Sequence, residues 1–233
     1  RLQNLFDSHD TDRFPSMIVN RDRPYYSKEE AFGYDGDQWP GSAEKPYLIR
    51  KPTPEERRLQ RMLALFQIAY PGAPYLYYGT EAGMWSGDDP DDRMPMVWPD
   101  MVYEPQKLSP AGQPERNDDV NFDTALHAYY RDLLSLRRKH PALVDGELRM
   151  LGGSDGTQTF AWLRAGNPPL LAVFNRSPEA QTHRISLKNL PAVKKLTTFF
   201  VSSGSPENIQ LSTDGEVVKI TLPGWTGALI SAD

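Results

Sequence analysis

The residues best suited to chemistry lie close together near the start of the chain, where His9 precedes Asp10 and Arg13 follows. An imidazole beside a carboxylate, with a guanidinium nearby, can bind vicinal hydroxyls and stabilise the positive charge that develops in a reacting sugar. Leu2 and Leu5 precede this cluster and favour a short buried strand. Ligands of parallel α/β sheets bind at the carboxyl ends of the strands, so we expect Asp10 to take part in chemistry.

Composition limits the classes of protein to which this cluster can belong. The 233 residues, 39% of them hydrophobic, are enough for one large domain or two small ones with a real core. A formal net charge of -5 argues against a nucleic-acid or anionic-membrane partner, which normally needs a basic surface. The sequence has no cysteine and no apolar run near the roughly 18 residues that span a bilayer. Bacterial cytoplasmic, periplasmic and secreted locations stay equally compatible.

The stretch from Phe14 to Pro52 has the composition of a long loop. Prolines and glycines interrupt the candidate helices, and only Lys28 to Phe32 suits a turn or two. Long loops inside a compact domain usually serve function. Aromatic rings in this loop, Trp39 among them, can pack on the C–H faces of pyranose rings. The alternative, that the rings only hold the loop against the body of the protein, stays open.

A well-signalled helix follows, because Thr53-Pro54-Glu55-Glu56 supplies an N-cap hydroxyl, a proline at the first helical position and a glutamate at the third. Apolar residues then recur at spacings of three and four, at Leu59, Met62, Leu63, Phe66 and Ala69. Pro71-Gly72 ends the helix, and Ala73 to Tyr78 suits a second buried strand. The order strand, loop, helix, strand predicts a β-α-β unit of a parallel sheet.

A second long loop, from Met84 to about Asn121, contains the acidic run from Gly87 to Arg93. This run suggests calcium, but it lacks the glycine at position six and the glutamate at position twelve of an EF-hand loop. Calcium is therefore compatible but not predicted, and no metal ligand is assigned. No nucleophile elbow, His-Glu-x-x-His motif or phosphate-binding glycine loop is present, so this segment requires no cofactor.

The last third of the chain changes to short alternating segments. A helix from about Phe122 to Lys139 comes first and ends in basic residues, for which the helix dipole is a sufficient reason. After Gly146, turn residues separate six predicted strands: Thr157 to Leu163, Leu170 to Asn175, Thr182 to Leu187, Thr197 to Val201, Val217 to Leu222 and Gly227 to Ser231. Several strands in succession without helices predict a small antiparallel sandwich, with a domain boundary near Leu148.

Two motifs at a characteristic separation resemble those of one family. The run Ser8-His9-Asp10-Thr11-Asp12-Arg13 is similar to the signature at the end of barrel strand seven in the α-amylase family of glycoside hydrolases, and its serine is typical of the cyclomaltodextrinase and neopullulanase group. The segment from Gly72 to Glu81 resembles the signature on strand eight. Asp89-Pro90, Arg93 to Met96 and Trp98 resemble the loop that follows. The final helix and the strand-rich tail also match the family's layout, so the resemblance covers nearly the whole chain.

The resemblance implies an α/β part followed by an all-β part. Residues 1–147 would be the C-terminal part of a (β/α)8 TIM barrel, with strands seven and eight and their helices, and residues 148–233 a small antiparallel β-sandwich. The implied activity is retaining hydrolysis of α-glucosidic bonds in malto-oligosaccharides, cyclodextrins, starch or pullulan. In this family the nucleophile and the acid/base lie on strands four and five, which this sequence does not contain. Because the chain also begins at Arg1, without an initiating methionine, we expect an inactive C-terminal piece that needs the missing N-terminal part of the same protein.

The family's motifs also imply roles for the matching residues. Asp10 matches the carboxylate that stabilises the transition state by binding the 2- and 3-hydroxyls of the sugar at the cleavage site, and His9 shares those hydroxyls as a donor. Asp89 and Arg93 resemble a pair that holds the non-reducing side of the same sugar. The predicted substrate-binding residues are therefore His9, Arg13, Trp39, Asp89 and Arg93.

Two alternatives stay open at the level of sequence. A glucanotransferase or isomerase of the same family passes the glycosyl group to a sugar instead of water, and the motif residues do not separate these outcomes. A non-catalytic carbohydrate-binding module would use the aromatic loop and the sandwich to bind glycan without chemistry. The group resembled often dimerises through an N-terminal domain, so a homodimer of the full-length protein is also compatible.

Overall fold

The computed structural model describes residues 3–22, 48–87, 91–107, 116–190 and 194–233. The chain divides into two compact units. One unit comprises Arg1–Asn4, Arg61–Pro74 and Arg131–Asp233, and the other comprises Leu5–Gln60 and Tyr75–Tyr130. Helices and antiparallel sheets are both present, as expected of a mixed fold. The assignment to part of a barrel, and the domain boundary near residue 147, stay predictions.

The α-helices of the described residues are α1 (Phe14–Val19), α2 (Pro54–Ala69), α3 (Thr124–Lys139) and α4 (Pro141–Asp145). The predicted capping box of α2 is confirmed: the Glu56 amide donates to Thr53 Oγ1 (3.3 Å), and the Thr53 amide donates to Glu56 Oε2 (2.7 Å). Arg50 holds the same carboxylate at 2.6 Å and lowers its pKa against the opposing effect of burial. The first turn of α2 is thus fixed by groups that the sequence places there.

Helix α1 corrects the prediction that the stretch from Phe14 onward is irregular. Pro15 lies in the first turn of α1, where its missing N–H is not required by the helix. The Arg13 carbonyl accepts from the amides of Ser16 (2.8 Å) and Met17 (3.0 Å). Proline usually interrupts a helix, but in the first turn of α1 it is compatible with one. The remainder of the predicted loop, residues 23–47, lies outside the described residues, as does the predicted turn at residues 28–32.

Two short strands, β1 (Gln3–Leu5) and β2 (Ala73–Tyr75), form a two-stranded sheet. The second strand is shorter than the predicted range of 73–78. The expected burial of Leu5 is wrong for this chain, because 50% of its surface is exposed. Two strands cannot cover each other's faces, and closing a barrel takes more of them.

The remaining strands form two antiparallel sheets. One has the order β3-β4-β5-β10-β7 and the other the order β6-β9-β8. Their bounds are β3 (Leu148–Ser154), β4 (Thr159–Arg164), β5 (Leu170–Asn175), β6 (Gln181–Ser186), β7 (Leu196–Val201), β8 (Gln210–Asp214), β9 (Val217–Leu222) and β10 (Thr226–Ala232). Alternate side chains of both sheets share one hydrophobic core, which includes Leu163, Leu171, Val173, Ile185, Val218, Ile220 and Ile230.

The second half of α2 packs on the five-stranded sheet through aromatic rings. Phe66 meets Trp162 edge to face, with 5.1 Å between the ring centroids, and Phe174 stacks on Trp162 at 4.9 Å. Phe66, one residue of the apolar repeat predicted for this helix, therefore serves core packing. Such pairs add to the stabilisation that comes from burying their area.

Candidate active site

The polar loop that follows β1 is held by its own short hydroxyl side chains. The Ser8 amide donates to Thr11 Oγ1 (2.9 Å), and the Asp10 amide donates to Ser8 Oγ (3.2 Å). Serine and threonine hydroxyls commonly bond nearby backbone groups in this way and fix turns. The backbone of the residue predicted to act in chemistry is thereby positioned from within the loop.

The structure brings His9, Asp10 and Arg93 together at the surface of one unit. His9 Nε2 lies 3.3 Å from Asp10 Oδ2, and Arg93 Nη2 lies 3.4 Å from Asp10 Oδ1. Arg93 Nε also donates to the His9 carbonyl at 3.0 Å. The Asp10 side chain is 60% exposed, so a ligand can reach its oxygens. The arrangement joins an acceptor carboxylate with two nitrogen-rich donors, which suits hydroxyl groups.

Arg93 belongs to a single turn of 3-10 helix, Asp91–Arg93, which lies within the segment resembling the loop after strand eight. The next residue, Met94, accepts a hydrogen bond through its carbonyl from the Tyr78 hydroxyl (2.6 Å). The neighbouring Asp92 is fully buried. The turn that presents Arg93 is therefore packed inside the protein at Asp92 and followed by a hydrogen-bonded residue.

Arg13 lies away from solvent, with its described contacts inside the protein. Its Nη1 donates to the Tyr78 carbonyl at 2.6 Å. Its guanidinium carbon lies 4.7 Å from the centroid of the Tyr77 ring and 4.8 Å from that of Tyr78. These contacts give Arg13 a part in shaping the segment that follows β2. Its predicted contact with a sugar stays a prediction.

Asp7 is the polar residue that sequence reasoning missed. It lies directly before the Ser8-His9-Asp10 run and is only 2% exposed. Its Oδ2 accepts from the Phe14 amide (3.0 Å) and from Thr80 Oγ1 (2.5 Å). Burial raises its pKa, while these hydrogen bonds oppose the shift. An acidic residue within an apolar strand pattern is the signal that could have identified it.

Two predicted site residues cannot be placed. Trp39 and Asp89 both lie outside the described residues, so their substrate contacts stay predictions. Within the part of the chain that the structure describes, no three histidine, aspartate or glutamate side chains lie close enough together to hold a metal ion. None of the helices in those same ranges combines the length and apolarity that a membrane span needs.

No protein-family model matches the chain. A cyclomaltodextrinase of Geobacillus thermopakistaniensis (strain MAS1) is 30% identical over 141 residues, which are 60% of this chain and 21% of that protein. Neopullulanase 2 of Thermoactinomyces vulgaris is 26% identical over 182 residues, 78% of this chain and 22% of the relative. The chain is a homologue of cyclomaltodextrinases and neopullulanases. The resemblance predicted from the two motifs is therefore confirmed.

The homology extends to an enzyme with a different name. The trehalose synthase/amylase TreS of Mycobacterium tuberculosis (strain ATCC 25618 / H37Rv) is 33% identical over 119 residues, 43% of this chain and 20% of that protein. This chain spans about a fifth of the length of the curated cyclomaltodextrinase and neopullulanase homologues it matches.

Solved structures agree on the fold. The α-amylase from Geobacillus thermoleovorans complexed with acarbose superposes with a TM-score of 0.63 at 21% identity, covering 99% of this chain and 38% of that one. A cyclomaltodextrinase structure gives a TM-score of 0.61 at 23% identity, covering 99% of this chain and 29% of that one. At such identities the likeness establishes a shared fold and nothing further.

Proposed function

We propose that this chain is the C-terminal part of a retaining α-amylase-family glycoside hydrolase that cleaves α-glucosidic bonds in malto-oligosaccharides, cyclodextrins or pullulan. In this proposal residues 1–147 complete a (β/α)8 barrel and residues 148–233 form the sandwich that follows it. Homologues named cyclomaltodextrinase and neopullulanase support the substrate class. The nucleophile and the acid/base belong to strands that this sequence does not contain, so the 233 residues alone are inactive.

The cluster of His9, Asp10 and Arg93 is the observation that carries the proposal. Asp10 offers a carboxylate that lies at a strand end, is open to solvent and has a fixed backbone. Bound to two neighbouring sugar hydroxyls, it favours a flattened ring with positive charge at the anomeric carbon, because those hydrogen bonds strengthen as the charge grows. His9 donates to the same hydroxyls. Arg93, which contacts both residues, orients the carboxylate and the sugar.

A chimera tests this function directly. The chain replaces the homologous segment of the Geobacillus thermopakistaniensis cyclomaltodextrinase, and hydrolysis of β-cyclodextrin is measured. Asp10→Asn keeps the shape but removes the charge, so kcat falls by about a hundredfold or more. Asp132→Asn is the matched control, because Asp132 is 57% exposed and also paired with an arginine, at 3.1 Å, yet has no place in the cluster.

Three outcomes distinguish the proposed enzyme from a non-catalytic carbohydrate-binding module. An active chimera that loses activity with Asp10→Asn, but not with Asp132→Asn, supports the proposal. A folded chimera in which Asp10→Asn is as active as the parent contradicts it. A folded chimera that binds β-cyclodextrin but never cleaves it favours a non-catalytic carbohydrate-binding module.

Isomerisation or glycosyl transfer is the second candidate, since the trehalose synthase/amylase shares 33% identity with this chain over 119 residues. The same cluster can stabilise the same charged sugar, and only the acceptor differs. A second chimera in the frame of that enzyme, supplied with maltose, distinguishes the two. Trehalose as the main product favours isomerisation, whereas glucose favours hydrolysis.

A further inference from the structure

Asp7 joins three parts of the chain through one buried carboxylate. The residue follows β1, its partner Phe14 begins α1, and its partner Thr80 lies after β2. Since Phe14 is seven residues from Asp7 in sequence, their hydrogen bond closes a loop that contains His9 and Asp10. The hydroxyl of Thr80 then ties the closed loop to a segment that is 73 residues away in sequence.

Thr80 is itself firmly held, so its hydroxyl is a fixed donor. Its carbonyl accepts from Gln60 Nε2 and from the Gly83 amide, both at 3.2 Å. Gln60 in turn receives a hydrogen bond from Arg57 Nη1 at 2.6 Å. Thr80 and Gln60 are both buried. The segment after β2 is thereby joined to the first half of α2, and Asp7 joins the loop to that segment.

We propose that Asp7 is the positioning residue that holds the His9–Asp10 loop in place, through the Phe14 amide and the Thr80 hydroxyl. Its effect on sugar chemistry rests on the proposed function, whereas its hold on the loop does not. A buried carboxylate is costly, and burial does raise the pKa of Asp7. A loop held at both ends loses little further freedom when a ligand binds.

The choice of a carboxylate also follows from the donors around it. The Phe14 amide and the Thr80 hydroxyl both approach Oδ2, and a backbone hydrogen bond from Tyr77 also acts on the pKa of the same group. An ionised carboxyl is an acceptor at both oxygens, whereas an asparagine amide presents one acceptor and two donors. Asparagine at position 7 would therefore serve the Phe14 amide and the Thr80 hydroxyl only with its oxygen in the place of Oδ2, and it would present a donor in the place of the other carboxylate oxygen.

The test compares variants that differ by a single hydroxyl. Asp7→Ala is the direct change, but it leaves two buried donors without a partner and can prevent folding. Thr80→Val is the milder change, because it removes only the donor to Asp7, and Thr80→Ser restores that donor. Thr159→Val is the matched control: Thr159 is equally buried, and its hydroxyl bonds His183 (2.9 Å) between the two antiparallel sheets.

Two readouts are taken. In the full 233-residue chain, amide hydrogen exchange of the peptide covering residues 7–14 is expected to be roughly five- to thirtyfold faster in Thr80→Val, the change in an opening equilibrium that accompanies loss of one such hydrogen bond. Thr80→Ser and Thr159→Val leave this peptide unchanged. In the cyclomaltodextrinase chimera, Thr80→Val lowers kcat about tenfold with little change in KM, because the carboxylate is misplaced in the transition state.

The outcomes distinguish the two proposals. Unchanged exchange of residues 7–14 in both Thr80→Val and Asp7→Ala overturns the positioning role. Faster exchange in Thr80→Val, together with a chimera that is inactive even without substitutions, supports the positioning role and counts against the proposed function. Faster exchange with unchanged kcat overturns the link between loop position and catalysis.

Discussion

Asp10 and Arg93 are 83 residues apart in sequence, and their side chains meet at 3.4 Å between Oδ1 and Nη2. The same guanidinium donates through Nε to the His9 carbonyl at 3.0 Å. The planar guanidinium therefore contacts both His9 and Asp10. The ammonium group of a lysine is a compact charge and cannot make both contacts with the same geometry. The relationship predicts that arginine, and not merely positive charge, is needed at position 93.

Arg93→Lys in the cyclomaltodextrinase chimera tests this geometry. We expect kcat/KM for β-cyclodextrin to fall by about tenfold, because lysine lacks the fork that orients the Asp10 carboxylate and the sugar. Thermal stability should change by less than about 1 kcal/mol, since exposed ion pairs contribute little. Arg131→Lys, at another exposed aspartate pair, is the control. Equal kinetics for both variants would contradict the predicted role of Arg93.

Ser8 offers a second prediction, because its hydroxyl accepts from the Asp10 amide at 3.2 Å. Ser8→Ala removes that acceptor and is expected to lower kcat by roughly tenfold, while Ser8→Asn should keep most of the activity. An asparagine side-chain oxygen can accept the amide two residues on, as serine does. Steady-state kinetics of the chimera provide the measurement. Similar losses for alanine and asparagine would show that the hydroxyl is not the feature that matters.

The side chains that meet in the loop could be read from the sequence because they are adjacent residues, whereas their chemistry stays a prediction. His9 and Asp10 are neighbours, and Arg93 was identified from a second motif that matched the same family. Their meeting in the structure, however, depends on how the chain returns to β1 after α2. The spacing of residues along the chain does not show where Arg93 lies relative to this loop. The proximity of Asp10 and Arg93 could therefore be expected only from the resemblance to the family.

Helix α1 and strands β3 and β8 were not predicted, because their local sequence patterns are not typical of the structure they adopt. Pro15 is expected to interrupt a helix, although it lies in the first turn of α1. Strand β3 was missed because Gly152-Gly153 interrupt its alternation, and the register indeed shifts between Met150 and Gly153. Strand β8 pairs only with β9 and is mostly exposed, so it lacks the apolar alternation that sequence reasoning needs.

Arg137, one of the basic residues at the end of α3, has a structural role beyond its interaction with the helix dipole. Arg137 donates to the carbonyls of Ile68, Tyr70 and Gly72 at the end of α2, not to its own helix. Arg164 of β4 donates to the carbonyl of Ala69, at the same end of α2, at 2.7 Å. It also donates to the Gly146 carbonyl at 3.1 Å. Burial lowers the pKa of both arginines. The sheet and α3 thus supply the C-terminal cap of α2.

Arg164→Met tests the importance of this cap. Methionine keeps the apolar stem but leaves the buried Ala69 carbonyl and the part-buried Gly146 carbonyl without this donor, so we expect the free energy of unfolding to fall by about 2 kcal/mol. Urea denaturation followed by circular dichroism measures it. Arg184→Met, at an exposed position of β6, should change stability by less than about 0.5 kcal/mol. Equal effects of the two substitutions would mean that the carbonyls find water or other donors.

His183 of β6 makes the stability of the two antiparallel sheets depend on pH. The side chain is only 4% exposed, its Nδ1 lies 2.9 Å from Thr159 Oγ1, and burial lowers its pKa below the ordinary value. A histidine with a lowered pKa binds its proton more readily in the unfolded chain. Above the unfolded value of about 6.5 both states are neutral, so this residue gives no pH dependence there.

As the pH falls below that value, the unfolded chain gains a proton that the folded chain does not. The free energy of unfolding should then fall by up to about 1.4 kcal/mol per pH unit until the folded pKa is reached. His183→Asn removes the titrating group but keeps a polar atom for Thr159, so its stability should vary less between about pH 7 and pH 5.5. His127→Asn, at an exposed position of α3, should retain the full dependence. Urea titrations of the unsubstituted chain and the two variants at several pH values measure this dependence. If the free energy of unfolding changed with pH as steeply in His183→Asn as in the unsubstituted chain, the pH dependence would belong to other groups.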